Sequence, residues 1–333
     1  MAAASRVPKP DMPTGFGLMG MTWRPTSTPD EQAFAAMKAA IAKGATLWSS
    51  SEFYGMPEPT EGLGLLRRYF EAYPEDASKV TLFVKGCSDL TTLYPKNSRA
   101  GVRESIENTI KVLGNTKKID IFGPARGDPS VPLEETIGTL KELVSEGLIG
   151  GIGLSEVGSK TIEKANSIFP LSLVEVEFSL WSTDILTNGV AETTKKLGIP
   201  IAAYAPLGRG FLTGQLKSAE DIPEGDIRRY FDRFQPENFS KNLELLSQVK
   251  SVASSKGVTP AQLALAWVRV HSKSDKAGVI IPIPGATAAP RVEENTTAVS
   301  LTKEEKANLD EILSSFTVQG GRYNGQLEAT LWG

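Results

Sequence analysis

The sequence predicts an α/β protein, folded as a single (β/α)₈ (TIM) barrel domain over residues 1–333. Short apolar β-type runs alternate with helical stretches, and eight such runs lie between about Thr14 and Gly285. Strict alternation implies parallel strands joined by crossover helices, and eight units favour a closed barrel. No linker, low-complexity tract or short-period repeat divides the chain, which favours one domain.

The β-type runs are the elements that would form the barrel wall. In chain order they read TGFGLMG, ATLWSS, VTLFVKG, KIDIFGPA, IGGIGLS, SLVEVEFS, IPIAAYA and GVIIPIPG. The first run lacks the GxGxxG spacing and is not followed directly by a helix, so a Rossmann domain is the weaker alternative.

Helical stretches lie between these runs. PDEQAFAAMKAAIAKG, RAGVRESIENTIKVLG and PLEETIGTLKELVSEG each begin near Pro, Asp or Ser and stop at a glycine, as helix capping predicts. The longest irregular segment, residues 212–239, is polar, contains RRYFDRF and follows the seventh run. A barrel would place a substrate-covering loop there.

Composition and charge exclude several classes of function. The chain is 40% hydrophobic and 23% charged, which suits a folded protein with a large core. Its net charge is −3 with acids and bases interspersed, so we expect no nucleic-acid partner. The single cysteine, Cys87, fits a reducing compartment. MAAASRVPKPDMP has no apolar leader core, and no later run reaches about 18 apolar residues, so we expect a cytoplasmic protein without a membrane partner.

Candidate catalytic residues lie where the β-type runs end, because the chemistry of a barrel gathers at that face. Tyr54 lies just beyond the second run, in LWSSSEFYG, and Lys85 closes the third. A lysine beside a phenol favours the phenolate, so Tyr54 would be a general acid towards a carbonyl oxygen. The alternative is a partly buried loop aromatic without a catalytic role.

A set of strings along most of the chain carries a family resemblance. The strings are GLMGMTW, EFYG, FVKG, ARGDPSVPLEETIGTLKELVSEGLI, GLSEV, VEVEFSLWSTDI, AYAPLGRGFLTG, IPIPGAT and RVEEN. Together they resemble the aldo-keto reductase superfamily and, within it, the fungal pyridoxal (pyridoxine) reductases. The resemblance implies a barrel that reduces a small-molecule carbonyl with NADP(H), without a metal.

The chain departs from the catalytic group of that family, which is an aspartate, a tyrosine, a lysine and a histidine. Tyr54 and Lys85 match, whereas Ser49 stands at the aspartate and Ala125 at the histidine. The only histidine, His271, ends the stretch TPAQLALAWVRVH, and we interpret it as structural. Ser49 offers Lys85 a hydrogen bond but no charge, so we expect Lys85 to lose its proton more easily.

Two consequences for Tyr54 compete. A neutral Lys85 would make Tyr54 a poorer proton donor, whereas a cationic Lys85 freed from its carboxylate would polarise Tyr54 more strongly. Loss of the histidine removes a donor usually worth about 10²–10³ in rate. The space beside Ala125 then admits a bulkier substrate, or one such as pyridoxal that carries its own donor. We expect Trp23, Ala125 and Trp181 to line the substrate pocket.

These departures keep other functions open. They are a redox-neutral reaction on the same scaffold, a non-catalytic nucleotide binder, and an accessory subunit like those of potassium channels.

The resemblance also implies the cofactor contacts. Tyr204 would stack on the nicotinamide, Ser155 would bind its carboxamide, and the backbone after Pro206 would hold the pyrophosphate. Gly285 and Ala286 replace residues that often grip the 2′-phosphate, so selection of NADP(H) would depend on Arg291. The full set of expected cofactor-binding residues is Ser155, Glu175, Tyr204, Pro206, Leu207, Gly208, Gly285, Thr287, Arg291, Glu294 and Asn295.

Three acidic residues near the strand ends have two interpretations. Glu156 and Glu175 stand where many family members carry Asn and Gln, and Glu175 and Glu177 share one face of the sixth run. Each is either a buried acid paired with a lysine or arginine of the barrel, or a contact to a bound ligand.

Overall fold

The strands form a closed parallel barrel, as the sequence predicts. The computed structural model describes residues 10–328 and 330–333. Its eight strands pair in chain order, all parallel, and Gly17 N donates to Pro284 O at 3.1 Å, which joins the last strand to the first. The strands are β1 (Phe16–Gly17), β2 (Leu47–Ser51), β3 (Thr81–Gly86), β4 (Ile119–Pro124), β5 (Ile149–Ser155), β6 (Leu171–Glu177), β7 (Ile201–Tyr204) and β8 (Ile280–Pro282).

Helices follow the strands and form the outer layer. The α-helices of the described residues are α1 (Met19–Thr22), α2 (Asp30–Ala42), α3 (Glu61–Ala72), α4 (Arg99–Leu113), α5 (Leu133–Glu146), α6 (Ser159–Ile168), α7 (Val190–Lys196), α8 (Pro236–Lys256), α9 (Pro260–Val270), α10 (Ala289–Thr296), α11 (Lys303–Ser315) and α12 (Gly325–Glu328). Short 3₁₀ turns lie at Pro74–Asp76, Asp184–Leu186, Gly208–Thr213, Ala219–Asp221, Ile227–Tyr230 and Asp232–Phe234.

The predicted helix ends are confirmed at α4 and α5. The side chain of Ser98 caps α4 by accepting from Gly101 N. Gly114 and Gly147 end α4 and α5 with φ of 63° and 80°, the left-handed conformation that glycine adopts without strain. These caps fix where each helix ends and where the chain turns towards the next strand.

The interior of the barrel is filled by an apolar layer. That layer is Leu47, Phe83, Ile121, Leu173, Ala202, Ile281 and Ile283. Side chains two residues apart on a strand share a face, so the next inward residues towards the carboxyl ends of β2, β3 and β6 are Ser49, Lys85 and Glu175. The strand period therefore places a polar layer directly above the apolar one, at the mouth of the barrel.

Two irregular segments lie over that mouth. Residues 212–239, the predicted covering loop, contain three of the 3₁₀ turns and end in the first turn of α8. Residues 317–323, which sequence reasoning did not single out, follow α11 and return to the mouth, where Arg322 and Tyr323 enter it.

Two other predictions concern the termini and membranes. The leader interpretation of MAAASRVPKPDMP falls mainly on residues 1–9, which lie outside the described residues. Across the described part of the chain, every helix is too short or too polar to cross a bilayer.

Candidate active site

The polar layer of the mouth is organised around Lys85. Its ammonium donates to Ser49 Oγ at 2.6 Å and to the Ser50 carbonyl at 2.8 Å, and lies 3.0 Å from Glu175 Oε1. Ser49 in turn donates to Glu175 Oε2 at 2.5 Å. All three side chains are buried. This set, the Lys85 cluster, is a closed network in which each charge has a partner.

The expectation that Lys85 lacks a carboxylate is wrong. Glu175, from β6 on the far side of the barrel, supplies the negative charge that Ser49 does not. Burial lowers the pKa of Lys85, and the Glu175 carboxylate opposes that shift. Sequence reasoning placed Glu175 among the cofactor contacts; in the structure it is the ion-pair partner of Lys85.

Tyr54 lies in the turn after β2, beside this cluster. The Lys85 Nζ is 5.3 Å from the centroid of its ring, and the Trp23 ring packs on it at 5.5 Å. The backbone carbonyl of Tyr54 accepts a hydrogen bond from Gly62 N at 2.8 Å, and a Cβ on Gly62 would lie 2.6 Å from that carbonyl oxygen. Only a glycine allows α3 to hold the Tyr54 turn this closely.

Burial dominates the ionisation of Tyr54. It raises the pKa of the phenol well above its ordinary value, and the Glu175 carboxylate raises it further. Arg126 and Arg209 act in the opposite direction. Tyr54 is therefore protonated at neutral pH, and the cations that draw its pKa down come from β4 and the loop after β7.

The end of β4 brings Ala125 to the mouth, at the position where the resemblance leads us to expect a histidine. Ala125 is buried, and its N–H donates to Gly86 O at 3.0 Å. The next side chain, Arg126, donates to the Ala125 carbonyl at 2.6 Å and to the Tyr323 hydroxyl at 3.1 Å. The mouth therefore has a guanidinium one residue beyond the position of the missing imidazole.

The C-terminal segment completes this side of the site. Arg322 is buried and forms an ion pair with Glu156, and the Tyr323 hydroxyl hydrogen-bonds the Tyr204 hydroxyl at 2.9 Å. Arg209 pairs with Glu177 at 3.3 Å and stacks on the Tyr323 ring. All three acids thus pair with basic side chains, which confirms the first of their two interpretations.

Sequence reasoning missed Arg126, Arg209, Arg322 and Tyr323. For Arg322 and Tyr323 the one available signal was GGRYNG, in which glycines flank an arginine and an aromatic residue and indicate a turn. Nothing in that string says where the turn docks.

The covering loop packs on the same segment. Arg228 donates to the Arg209 carbonyl at 3.0 Å, and Phe231 contacts the Tyr323 ring edge-on at 5.1 Å. Arg233 donates to the Trp181 carbonyl at 2.6 Å. Trp181 itself is buried and stacked on Phe211 at 4.1 Å, so it supports the loop from below. Its contact with substrate, like that of Trp23, stays a prediction.

Most of the expected cofactor residues follow β7 or β8 along one edge of the mouth, whereas Ser155 ends β5 and Glu175 lies in β6. Tyr204 and Ser155 end their strands, and Gly208 adopts φ of 56° in the turn after β7. Thr287 O accepts from Gln32 Nε2 at 2.9 Å. Arg291 forms an ion pair with Glu294 at 2.6 Å on α10, where Asn295 is buried. Pro206, Leu207 and Gly285 supply backbone to the same edge, and Gly285 bridges to Gly17.

The chemical groups along this edge are of the kinds that bind a dinucleotide. An aromatic face stands at one end, a glycine turn follows it, and a half-exposed guanidinium stands at the other end.

His271 has the structural contacts that were predicted for it. It caps α9, is buried, and hydrogen-bonds the Trp267 carbonyl through Nδ1 at 2.8 Å. Burial lowers its pKa. It lies on the outer layer and makes no contact with the Lys85 cluster.

Comparison with known proteins agrees with this fold. The profile described as "Aldo/keto reductase family" matches residues 13–314. A "Probable pyridoxal reductase 2" of Schizosaccharomyces pombe is 42% identical over 325 residues, covering 96% of each chain. A "Putative pyridoxal reductase" of Saccharomyces cerevisiae is 39% identical over 332 residues, covering 93% of this chain and 95% of its own.

A solved structure agrees at the level of the fold. The glycerol dehydrogenase AKR11B4 from Gluconobacter oxydans superimposes with a TM-score of 0.77 at 22% identity, over 94% of this chain and 96% of its own. With the sequence matches, this makes the chain an oxidoreductase. It belongs to the aldo/keto reductase family.

Proposed function

We propose that the chain reduces the aldehyde of a pyridoxal-like small molecule, with NADPH as hydride donor and Tyr54 as proton donor. One observation carries the proposal: the Tyr54 ring lies beside an ammonium, that of Lys85, which Ser49 and Glu175 hold in place. The names of the two yeast relatives, both described as pyridoxal reductases, support pyridoxal as the substrate class.

The chain's own residues account for the proton side of this reaction. The Tyr54 O–H bond breaks as its proton passes to the carbonyl oxygen, which becomes the alcohol. The phenolate that remains is stabilised by the Lys85 ammonium and regains a proton from solvent. Because burial raises the pKa of Tyr54, the donor form is present at neutral pH. Glu175 holds the Lys85 ammonium by an ion pair and offsets its desolvation.

Several residues would hold the cofactor, which supplies the hydride when bound. Tyr204 would face the nicotinamide, Ser155 its carboxamide, and the turn that includes Gly208 the pyrophosphate. NADPH preference would come from Arg291 turning from Glu294 towards the 2′-phosphate. Aldo-keto reductases use nicotinamide dinucleotides in general, so the preference for the phosphorylated form is the part that needs a test.

Absorbance of the reduced nicotinamide, followed with a panel of aldehydes that includes pyridoxal, tests the proposal. We expect Tyr54→Phe to lower kcat by about 10²–10⁴ without weakening NADPH binding, because only the proton donor is lost. Tyr230→Phe, at a tyrosine that is 64% exposed, is the matched control. Equal activity of the two variants would remove Tyr54 from the reaction. NADPH binding without NADPH oxidation by any aldehyde would favour a nucleotide binder or a redox-neutral role.

A further inference from the structure

Arg126 is a half-buried cation of the mouth whose hydrogen bonds go only to uncharged groups. One nitrogen donates to the Ala125 carbonyl and another to the Tyr323 hydroxyl, and the described residues place no carboxylate within ion-pair distance. A guanidinium has more N–H donors than these two bonds use. The backbone carbonyl of Arg126 accepts a hydrogen bond from Asn97 Nδ2 at 2.9 Å, which holds the Arg126 backbone in place.

The neighbouring arginines are partnered differently. Arg209 has Glu177, and Arg322 has Glu156. Arg233 lacks a carboxylate too, but it donates to two backbone carbonyls and the Ser182 hydroxyl. A buried cation is costly unless it is paired or well hydrogen-bonded. Of these four arginines, Arg126 and Arg233 have no carboxylate within ion-pair distance, and Arg126 makes fewer side-chain hydrogen bonds than Arg233.

The position of Arg126 is next to the reacting groups. Arg126 follows Ala125, whose N–H donates at 3.0 Å to the carbonyl of Gly86, the residue after Lys85, and the charge of Arg126 acts to lower the pKa of both Tyr54 and Lys85. Ala125, the residue before Arg126, has a methyl group where the resemblance expects an imidazole. An anionic oxygen bound to Arg126 would therefore lie beside a carbonyl that faces Tyr54.

We propose that Arg126 forms a subsite for an anionic oxygen on the substrate, adjacent to the carbonyl that is reduced. The inference rests on the proposed carbonyl reduction and narrows its substrate class to aldehydes with an acidic hydroxyl next to the aldehyde. When the substrate is bound, Arg126 donates a charge-assisted hydrogen bond to that oxygen. Without substrate, Arg126 donates to the Tyr323 hydroxyl instead. The substrate thereby supplies an anionic partner for Arg126, which no described residue provides within ion-pair distance.

Matched aldehydes measure this preference. We expect 2-hydroxybenzaldehyde to exceed 2-methoxybenzaldehyde in kcat/KM by about tenfold or more, since a hydrogen bond to a charged group has that value. Arg126→Gln should bring the ratio close to one. Arg126→Lys, which keeps the charge but not the planar fork, should keep part of it. Arg228→Lys, at an arginine that pairs with Asp226, is the control and should leave the ratio unchanged.

A binding measurement separates this inference from the proposed function. Titration calorimetry with salicylate, which is not reduced, should show binding to the full chain that Arg126→Gln weakens about tenfold or more. Arginine-dependent salicylate binding without turnover of any aldehyde would overturn the proposed function and leave the subsite standing. Aldehyde reduction with an unchanged ratio in Arg126→Gln would overturn the subsite alone. If that variant does not fold, an unchanged ratio in Arg126→Lys overturns it.

The source of the anion is tested with pyridoxal and its 5′-phosphate. The subsite next to the aldehyde binds the phenolic oxygen, which pyridoxal and its 5′-phosphate share. Arg126→Gln should therefore reduce kcat/KM for the two compounds by a similar factor. A loss confined to the 5′-phosphate would show that Arg126 binds a phosphate remote from the carbonyl, and the proposal would be wrong.

Discussion

Two parts of the barrel mouth hold their cations in opposite ways. In the first, the closed side, the Lys85 cluster spans the mouth from β2 and β3 to β6, and Lys85 has a hydroxyl, a backbone carbonyl and the Glu175 carboxylate. On the β4 side, Arg126 has a carbonyl and a phenol but no acid among the described residues. A cation with every partner in place can position its neighbour, whereas one with spare donors can recognise a ligand.

The largest expected effect comes from breaking the closed side. Glu175→Gln leaves the Lys85 charge buried without a counter-ion, so we expect it to reduce the free energy of unfolding by about 3–5 kcal/mol. The double variant Lys85→Met/Glu175→Gln removes both charges and should recover most of that loss. Urea unfolding of the two variants and the wild type measures both values.

Equal destabilisation by the single and double variants would mean that the charge pair contributes nothing beyond the volume of its side chains. In that case the Lys85 cluster would be a packing feature, and the comparison between the two sides would lose its basis.

The second prediction moves the carboxylate from β6 to β2. In the Glu175→Gln background, Ser49→Asp restores a counter-ion next to Lys85, so we expect about half or more of the lost stability and part of the lost kcat to return. In the wild-type background the same change puts a second carboxylate beside Glu175 and should destabilise the fold. Opposite signs in the two backgrounds, measured by the same unfolding assay, are the expected result.

The strand period explains which parts of this site the sequence could predict. Tyr54 and Lys85 follow β2 and β3 directly, and strand ends are readable from alternation of apolar and polar residues. Glu175 was recognised as an inward residue of β6, but its partner was not, because the registers that bring β6 opposite β3 depend on closure of the whole barrel.

The other side of the mouth was harder to predict for a different reason. Arg322 and Tyr323 reach it from residues 317–323, where no helix or strand fixes the path of the chain. Their position is set by ion pairs and ring contacts with residues more than a hundred positions earlier in the chain, such as Glu156 and Tyr204. Local propensity carries no information about such contacts.

The third prediction uses the pH profile to separate the two sides. Tyr54 donates only when protonated, so kcat should be level below its pKa and fall above it. Glu175 raises that pKa, so Glu175→Gln should move the alkaline limb to lower pH. Arg126 lowers it, so Arg126→Gln should move the limb to higher pH. Shifts of the same sign, in kcat measured at saturating substrate, would contradict this assignment of the two charges.

The smallest expected effect is at Arg291, a third kind of cation, paired with Glu294 on an exposed helix face. An exposed pair contributes little to stability, so Arg291→Ala should leave the unfolding midpoint nearly unchanged. If the guanidinium binds the 2′-phosphate, the variant should weaken NADPH binding about tenfold and leave NADH binding as it was, because only NADPH carries that group. Fluorescence titration with both cofactors measures the two constants, and Lys303→Ala on the neighbouring helix α11 is a surface control. Equal losses of affinity for NADPH and NADH would show that Arg291 does not bind the 2′-phosphate. An exposed cation would then differ from Arg126 in having neither a structural nor a recognition role.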